Sequence, residues 1–125
     1  TVSGWPSIAN DTLVLHAAGM PNSVSPSSQY LQATLQDNGG FGTPIQDGLR
    51  CVGGAIVRLG ARPNSGNQSQ YPDVGNQPVS IRGGLVSLGM PQTRHYQVFY
   101  RNAAATFCPP GTANWTNGLS IVWGP

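Results

Sequence analysis

The side chains that could cleave a glycosidic bond are few. Such a reaction requires two carboxyl groups, one on either side of the bond. The acidic residues of this chain are four aspartates in turn-like contexts: Asp11, Asp37, Asp47 and Asp73. An aspartate in a turn usually accepts a hydrogen bond from its own backbone. We therefore expect structural roles for these carboxylates rather than a catalytic pair.

The residue patterns that usually support nucleophilic or metal-dependent catalysis are also missing from the sequence. Serine hydrolysis needs a nucleophile, a general base and an oxyanion hole. His16 and His95 are available as bases, but no Gly-x-Ser-x-Gly motif occurs. Asp37 and Asp47 could ligate calcium together with loop carbonyls, yet no acidic calcium-loop pattern surrounds them. We predict that the chain is not an enzyme and has no catalytic residues, no metal site and no cofactor.

The two cysteines, Cys51 and Cys108, indicate the compartment. An even number of cysteines in a chain rich in Gly, Ser and Thr and devoid of Lys is typical of secretion and of a disulfide. Two free buried thiols in a cytosolic protein are the alternative. A bond between these residues would close a loop of roughly 60 residues, which the chain-entropy model equates with about 4 kcal/mol.

The composition excludes several classes of partner. Charged residues make up 8% of the chain, against about 25% in ordinary soluble domains. The basic residues are six scattered arginines and the net charge is only +2, whereas nucleic-acid binders carry clustered basic residues. No apolar run approaches the roughly 18 residues of a membrane helix. We expect neither nucleic-acid binding nor membrane insertion.

The pattern along the chain predicts one all-β domain with an N-terminal arm. The arm, residues 1–10, is irregular and has Val2, Trp5 and Ile8 as isolated apolar points. The domain, residues 11–125, contains these strand candidates: 12–17, 30–36, 49–52, 55–59, 78–82, 85–88, 94–101 and 119–123. About seven or eight short strands separated by Gly- and Pro-rich turns are typical of a single antiparallel β-sandwich, here with one disulfide.

Alternation within the strands predicts which side chains are buried. In 30–36, Leu31, Ala33 and Leu35 share one face and polar residues share the other, as in a half-buried strand. The inward-facing set of the later strands is expected to include Tyr96, Val98, Tyr100 and Trp123. The Gly53–Gly54 pair suggests a bulge. Residues 37–40 and 117–118 are turn signals, and 62–77 is expected to be a long polar loop.

Aromatic residues outside that inward set are candidate contacts for a ligand or partner. They are Tyr30, Tyr71 and Trp115, together with Trp5 of the arm. Exposed rings can stack on sugars or fill a pocket of a partner. Three segments match the N-glycosylation sequon, at Asn10, Asn67 and Asn114. The alternative is that these are simply Asn-rich loops.

A resemblance to a known domain depends on several motifs that follow one another along the chain: DGLRCVGG at 47–54, Arg58 and Leu59, RHYQVFYRN at 94–102, Cys108, NWTNGLS at 114–120, and Trp123. They resemble a domain of unknown function that recurs at the C-termini of secreted and surface proteins of environmental bacteria, notably planctomycete and myxobacterial types. Phe99 stands where that domain often has Trp. The resemblance implies an extracytoplasmic setting and a Cys51–Cys108 bridge. It implies no activity, because no catalytic residues are known for that domain.

These sequence features lead to two hypotheses for the function, from different classes of protein. The first is an extracellular structural subunit that self-associates into a filament through sheet edges or through the arm. Exposed sheet edges are usually guarded by charge, especially Lys, and neutral strands such as 30–36 would readily accept the backbone of a neighbouring copy. The alternative is that neither feature mediates assembly, because the sheet edges are covered within the domain and the arm packs on its own domain. The second function is a carbohydrate-binding or adhesion module of a secreted bacterial protein.

Overall fold

Few helix-forming residues and many turn residues yield a chain built of antiparallel strands. The computed structural model describes residues 1–46, 48–88, 92–101 and 113–125, with the backbone alone at 23–26. Its strands are β1 (Val2–Ser3), β2 (Val14–Ala18), β3 (Ser23–Gln36), β4 (Thr43–Ile45), β5 (Gly48–Arg50), β6 (Val52–Asn64), β7 (Gln68–Tyr71), β8 (Gln92–Arg101), β9 (Ala113–Trp115) and β10 (Leu119–Trp123). A one-turn helix, α1 (Val79–Arg82), lies between β7 and β8. The predicted all-β character is confirmed.

The strands form two main sheets and one hairpin. The small sheet has the order β1-β2-β7, and the large sheet has the order β10-β8-β3-β6, with β9 also paired to β8. Strands β4 and β5 form a separate two-stranded hairpin. All of these pairings are antiparallel. Long-range pairing of strands far apart in the chain therefore determines the architecture.

Strand β3 is central to the large sheet, and its residues 30–33 are buried on both faces. It pairs with β8 on one side and with β6 on the other, so the prediction that residues 30–36 form an open edge is wrong. Tyr30 and Leu31 belong to different buried clusters, and successive side chains of a strand point to opposite faces. The prediction of a half-buried strand is therefore wrong for residues 30–33, where both faces are covered. Leu31 and Ala33 are buried as predicted, but Leu35 is exposed at the end of the strand.

The main buried cluster contains residues from both sheets. Its members include Leu15, Ala17, Tyr30, Leu59, Tyr71, Tyr96, Val98, Tyr100, Ile121 and Trp123. The predicted burial of Tyr96, Val98, Tyr100 and Trp123 is thus confirmed. A second cluster on the opposite face of the large sheet consists of Leu31, Ala33 and Val52, against which Phe99 and Trp115 pack.

The structure corrects three predicted elements. Residues 78–82 were expected to form a strand but contain the helical turn α1, whose Ser80 N–H donates to Asp11 Oδ2 at 2.7 Å. That carboxylate satisfies a first-turn donor from far away in the sequence. Residues 85–88 form turns rather than a strand. The expected loop 62–77 contains the end of β6 and the whole of β7.

The predicted turns have mixed outcomes. A 3₁₀ turn occupies 37–40, with Asn38 at φ 50° and Gly39 at φ 63°, as the Asn-Gly signal predicts. Gly54, at φ 69°, lies where the β3–β6 register shifts, so the predicted bulge is confirmed. Residues 117–118 do not close a hairpin, because the strands that flank them, β9 and β10, both pair with β8.

The N-terminal arm is engaged by its own chain. Val2 pairs with Leu15 in the small sheet. The Ile8 side chain packs against the main cluster, and its N–H donates to the Gly124 carbonyl at 3.1 Å. Trp5 remains 76% exposed. The packing of residues 1–10 therefore agrees with the alternative in which the arm covers its own domain.

Candidate functional site

A cleft of about 950 Å³ lies between the two sheets. Strands β2 and β7 form one wall, and residues of β3, β6, β8 and the 116–119 segment form the other. Its apolar lining includes Leu15, Ala17, Val98 and Leu119. Its polar lining includes His16, Arg62, Gln68, Ser69, Gln70, Asp73 and Asn117. Ligand sites commonly have volumes of about 300–1,000 Å³ and combine an apolar floor with a few polar groups.

The charged groups in the cleft neutralise each other. Arg62 Nη2 lies 2.7 Å from Asp73 Oδ2, and both side chains are partly exposed. The Asp73 carboxylate also accepts from the Val74 N–H at 2.9 Å. The Arg62–Asp73 pair therefore gives the cleft polar character while the two side-chain charges compensate each other.

The hydroxyl of Tyr30 is held at the base of the cleft. It forms a hydrogen bond with Ser69 Oγ at 2.8 Å. Burial raises the pKa of Tyr30 to about 12, against the smaller opposing effect of the Ser69 hydrogen bond. The phenol is therefore neutral at physiological pH. Its ring lies 5.9 Å from that of Tyr71, centroid to centroid.

Two glutamines of β7 border the cleft without facing into it. Gln68 and Gln70 lie opposite Ala18 and His16 of β2 and alternate with Ser69 and Tyr71. Tyr71 is in the core and Ser69 bonds to Tyr30, and successive side chains of a strand point to opposite faces. The amides of Gln68 and Gln70 therefore lie on the outer face of the small sheet.

A smaller pocket of about 180 Å³ lies on the outer face of the large sheet and is lined in part by Cys51, His95 and Ser120. Ser120 Oγ is 2.7 Å from His95 Nδ1, and Gln36 Nε2 donates to the same hydroxyl at 3.2 Å. Burial, and then the charge of Arg94, hold the pKa of His95 below its usual value. No carboxylate is among the described residues that line this pocket, so a Ser-His-Asp arrangement is not assembled there.

The described aspartates take part in hydrogen bonds and ion pairs of the fold. Asp11 accepts from the Leu13 N–H at 2.9 Å. Asp37 is paired with Arg50 at 3.2 Å. Asp47 lies outside the described residues. Within the part of the chain that is described, no three His, Cys, Asp or Glu side chains come together in a way that could hold a metal ion.

The predicted ligand aromatics are mostly buried. Tyr30 and Tyr71 are each 1% exposed, so their prediction as exposed contact residues is wrong. Tyr71 was expected in a loop, but it belongs to β7 and faces the core. Trp115 is half-buried beside Phe99 at a centroid distance of 4.6 Å, and its indole N–H donates to the Ile45 carbonyl at 3.2 Å.

The three sequons differ in accessibility. Asn10 is exposed, and its side chain has no partner among the described residues. Asn67 is exposed, but its amide donates to the Met20 carbonyl at 2.9 Å. Asn114 is half-buried, and its Oδ1 accepts from the Trp115 N–H at 2.7 Å. Asn10 is thus the sequon whose geometry best suits attachment of a glycan.

The disulfide is not seen in this structure. Cys51 is a half-buried free cysteine whose thiol lies 3.6 Å from the Leu49 carbonyl oxygen. Its expected partner, Cys108, lies outside the described residues. The Cys51–Cys108 bond therefore stays a prediction.

The residues that line the cleft were not predicted from the sequence. Gln68, Ser69 and Gln70 fell within the expected polar loop 62–77. A signal was present, since Ser65-Gly66-Asn67 is a turn between two segments of strand character, and Gly66 and Asn67 have φ values of 61°. A short polar strand such as β7 lacks the apolar alternation that reveals other strands.

Comparison of the chain with family models, curated proteins and solved structures found no match. None of the helices in the described residues is long and apolar enough to cross a membrane.

Proposed function

We propose that this chain is a non-enzymatic extracellular binding or adhesion module whose ligand enters the cleft between the two sheets. The observation that carries the proposal is the cleft itself, which combines a volume of about 950 Å³ with apolar lining residues such as Leu15, Val98 and Leu119 and with the polar pair Arg62–Asp73. The neutralised pair Arg62–Asp73 and the structural role of the described aspartates favour binding over chemistry.

The setting and the finer architecture belong to the same proposal. The low charge, the absence of Lys and the motifs at 47–54 and 114–120 support a secreted or cell-surface protein, like the bacterial proteins whose C-terminal domain these motifs resemble. One buried cluster shared by both sheets supports a β-sandwich. The two-cysteine composition supports a bond between Cys51 and Cys108.

Blocking the cleft tests the binding function. Leu119 is half-buried on β10, lies on the same face as the core residues Ile121 and Trp123, and lines the cleft, so Leu119→Trp should fill part of it. Ala61 is exposed on β6 and is not a lining residue, so Ala61→Trp is the control. A thermal-shift screen with oligosaccharides, peptides and fatty acids should find a stabilising compound for the native chain and for Ala61→Trp, because a ligand that binds only the folded state raises the melting temperature.

The same screen can refute the proposal. If no compound stabilises the native chain, or if Leu119→Trp responds as the native chain does, the cleft is not a binding site.

Self-association is the second candidate function, and the outer edge of β6 favours it. Strand β6 ends the large sheet, and among the described residues no strand covers its far side. Leu35 and Ile56 lie beside this edge and are 60% and 41% exposed. Register shifts near Gly54 and Leu59 interrupt the edge, and such bulges restrict pairing with another chain. A contact between copies would therefore be short and centred on Ile56.

Sedimentation velocity over a wide concentration range tests this second candidate. The native chain should form larger species as the concentration rises, and Ile56→Lys should remain monomeric, because a charge protects an edge. Val74→Lys is the control, since Val74 is 94% exposed and belongs to no strand. A native chain that is monomeric at every concentration excludes self-association of the isolated domain.

A further inference from the structure

The two Asn-Gly pairs of the chain, Asn38-Gly39 and Asn117-Gly118, are held very differently by the fold. We infer that Asn117 is a site of spontaneous deamidation, which converts its amide into a carboxylate beside the cleft, and that the fold protects Asn38 from the same reaction. This inference does not depend on the proposed binding function.

Deamidation at an Asn-Gly pair needs no reagent other than water. The backbone nitrogen of Gly118 loses its proton and attacks Cγ of Asn117, so that an N–C bond forms, the Cγ–Nδ2 bond breaks and ammonia leaves with that proton. Water then opens the five-membered imide at either carbonyl, which leaves aspartate or isoaspartate. A glycine favours ring closure because it has no Cβ to obstruct the attacking nitrogen or to restrict the backbone.

Asn38 is held in a conformation that opposes ring closure. Its Nδ2 donates to the Gly42 carbonyl at 3.1 Å. Its backbone is left-handed, at φ 50° and ψ 45°, within the turn at 37–40. The Phe41 N–H donates to the Asn38 carbonyl at 3.1 Å, and the Gly42 N–H donates to the Asp37 carbonyl at 3.0 Å. Rotation of Asn38 toward the imide would therefore break its amide hydrogen bond and disturb the turn.

The side chain of Asn117 is not restrained in this way. It is exposed, and its amide group has no hydrogen-bond partner within the described part of the chain. The Thr116 hydroxyl donates to the Asn117 backbone carbonyl at 3.1 Å, which leaves the side-chain amide able to rotate. Gly118 is exposed as well, and the pair lies between β9 and β10. Because Asn117 lines the cleft, its conversion adds a negative charge there.

The isoaspartyl product should also strain the large sheet. The Thr116 N–H donates to the Val98 carbonyl at 2.9 Å, and Leu119 pairs with Tyr96, so both ends of this short connection are anchored on β8. Isoaspartate routes the backbone through its Cβ and adds one atom to the connection. The isoaspartyl chain should therefore melt at a lower temperature than Asn117→Asp, which has the same charge and an unaltered backbone.

Ageing of the full chain in mildly alkaline buffer tests the inference, and the same chain unfolded in guanidinium chloride is the control. Peptide mapping by mass spectrometry follows each Asn-Gly pair, and an isoaspartyl methyltransferase detects isoaspartate. In the folded chain we expect Asn117 to react at least about fivefold faster than Asn38, the rate equivalent of breaking one net hydrogen bond. In guanidinium the two rates should be similar. Asn117→Gln should abolish the rapid reaction, because the longer side chain would have to close a six-membered ring.

Three results would overturn the inference. The first is a ratio of the two rates that is no higher in the folded chain than in guanidinium, because the fold would then not distinguish the sites. The second is a folded chain in which Asn117 stays intact while the unfolded chain reacts. The third is an isoaspartyl chain that melts with Asn117→Asp, which would show that the connection on β8 is not strained by the product.

Discussion

Tyr96 and Gln32 face each other on neighbouring strands, and the Tyr96 hydroxyl donates a hydrogen bond to Gln32 Oε1 over 2.9 Å within the core. The same hydroxyl accepts from Trp123 Nε1 at 2.8 Å, and Gln32 Nε2 donates to the Gly83 carbonyl at 2.9 Å. Burial raises the pKa of Tyr96, so the phenol stays protonated. Because buried polar groups are costly unless paired, this chain of bonds specifies how β10, β8, β3 and the turn after α1 meet.

Replacement of Tyr96 by Phe should destabilise the fold strongly for so small a change. It leaves Trp123 Nε1 and Gln32 Oε1 without this partner in a buried site. Each unsatisfied buried group costs about 1–3 kcal/mol, so we expect a loss of roughly 2–4 kcal/mol in the free energy of unfolding. Urea denaturation measures it. Thr93→Val, which removes an exposed hydroxyl from the same strand, should change that free energy by less than about 0.5 kcal/mol. Equal effects of the two variants would contradict the role of the network.

The N-terminal strand should detach when Gly4 is replaced by Ala. Gly4 has φ 78°, and a Cβ there would lie 1.8 Å from the Thr12 carbonyl oxygen. Since backbone cannot yield as a flexible side chain does, β1 should leave β2. Hydrogen exchange should then show lost protection of the His16 N–H, which donates to the Thr1 carbonyl at 2.8 Å, while the core amides stay protected.

Gly19→Ala is the matched control for that experiment. Gly19 has φ 75°, but no atom lies within 4 Å of a Cβ at this position. Its replacement should cost about 1 kcal/mol through backbone strain alone. If Gly19→Ala exposes the His16 amide as much as Gly4→Ala does, the steric account of β1 is incorrect.

Asp37 should make the fold sensitive to acid. A hydrogen bond from the Thr43 side chain lowers the pKa of Asp37 most, burial opposes this, and the Arg50 hydrogen bond and charge lower it further. A carboxyl whose folded pKa is depressed stabilises the fold above its unfolded pKa, and this contribution is lost as the pH falls through the folded pKa.

The test is to compare Asp37→Asn with the native chain from pH 7 to pH 2 by urea denaturation. The variant should be less stable near neutral pH, and the difference should shrink in acid, when the native carboxyl is protonated. A difference that is the same at every pH would show that Asp37 acts only through packing.

The Cys51–Cys108 bond should be detectable by thiol counting. Unfolded and unreduced protein should react with a thiol reagent at neither cysteine, and reduction should expose both. Loss of a bond that closes a loop of this length should lower the free energy of unfolding by about 4 kcal/mol in the chain-entropy model. Two reactive thiols before reduction would remove the disulfide and weaken the argument for an extracellular setting.

Local sequence patterns were sufficient to predict strands with strong alternation and turns that require left-handed backbone conformations. The run 94–101 became β8, with Tyr96, Val98 and Tyr100 buried as expected. The Asn-Gly signal at 38–39 produced left-handed residues. The candidate site was not foreseen, because Gln68 and Gln70 lie on a short polar strand whose character depends on pairing with β2.

The sequence by itself determined the all-β class, the low content of charged residues and the identity of most core side chains in β8 and β10. These properties follow from composition and from period-two alternation. Only the tertiary structure decided that β3 is central, that Tyr30 and Tyr71 are buried, and that β2, β7, β8 and residues 116–119 surround one cleft. The physical reason is that strand pairing joins residues far apart in the chain. The sequence of one strand does not specify which other strands will pair with it or pack on it. Those neighbours determine whether its second face is exposed to water or buried.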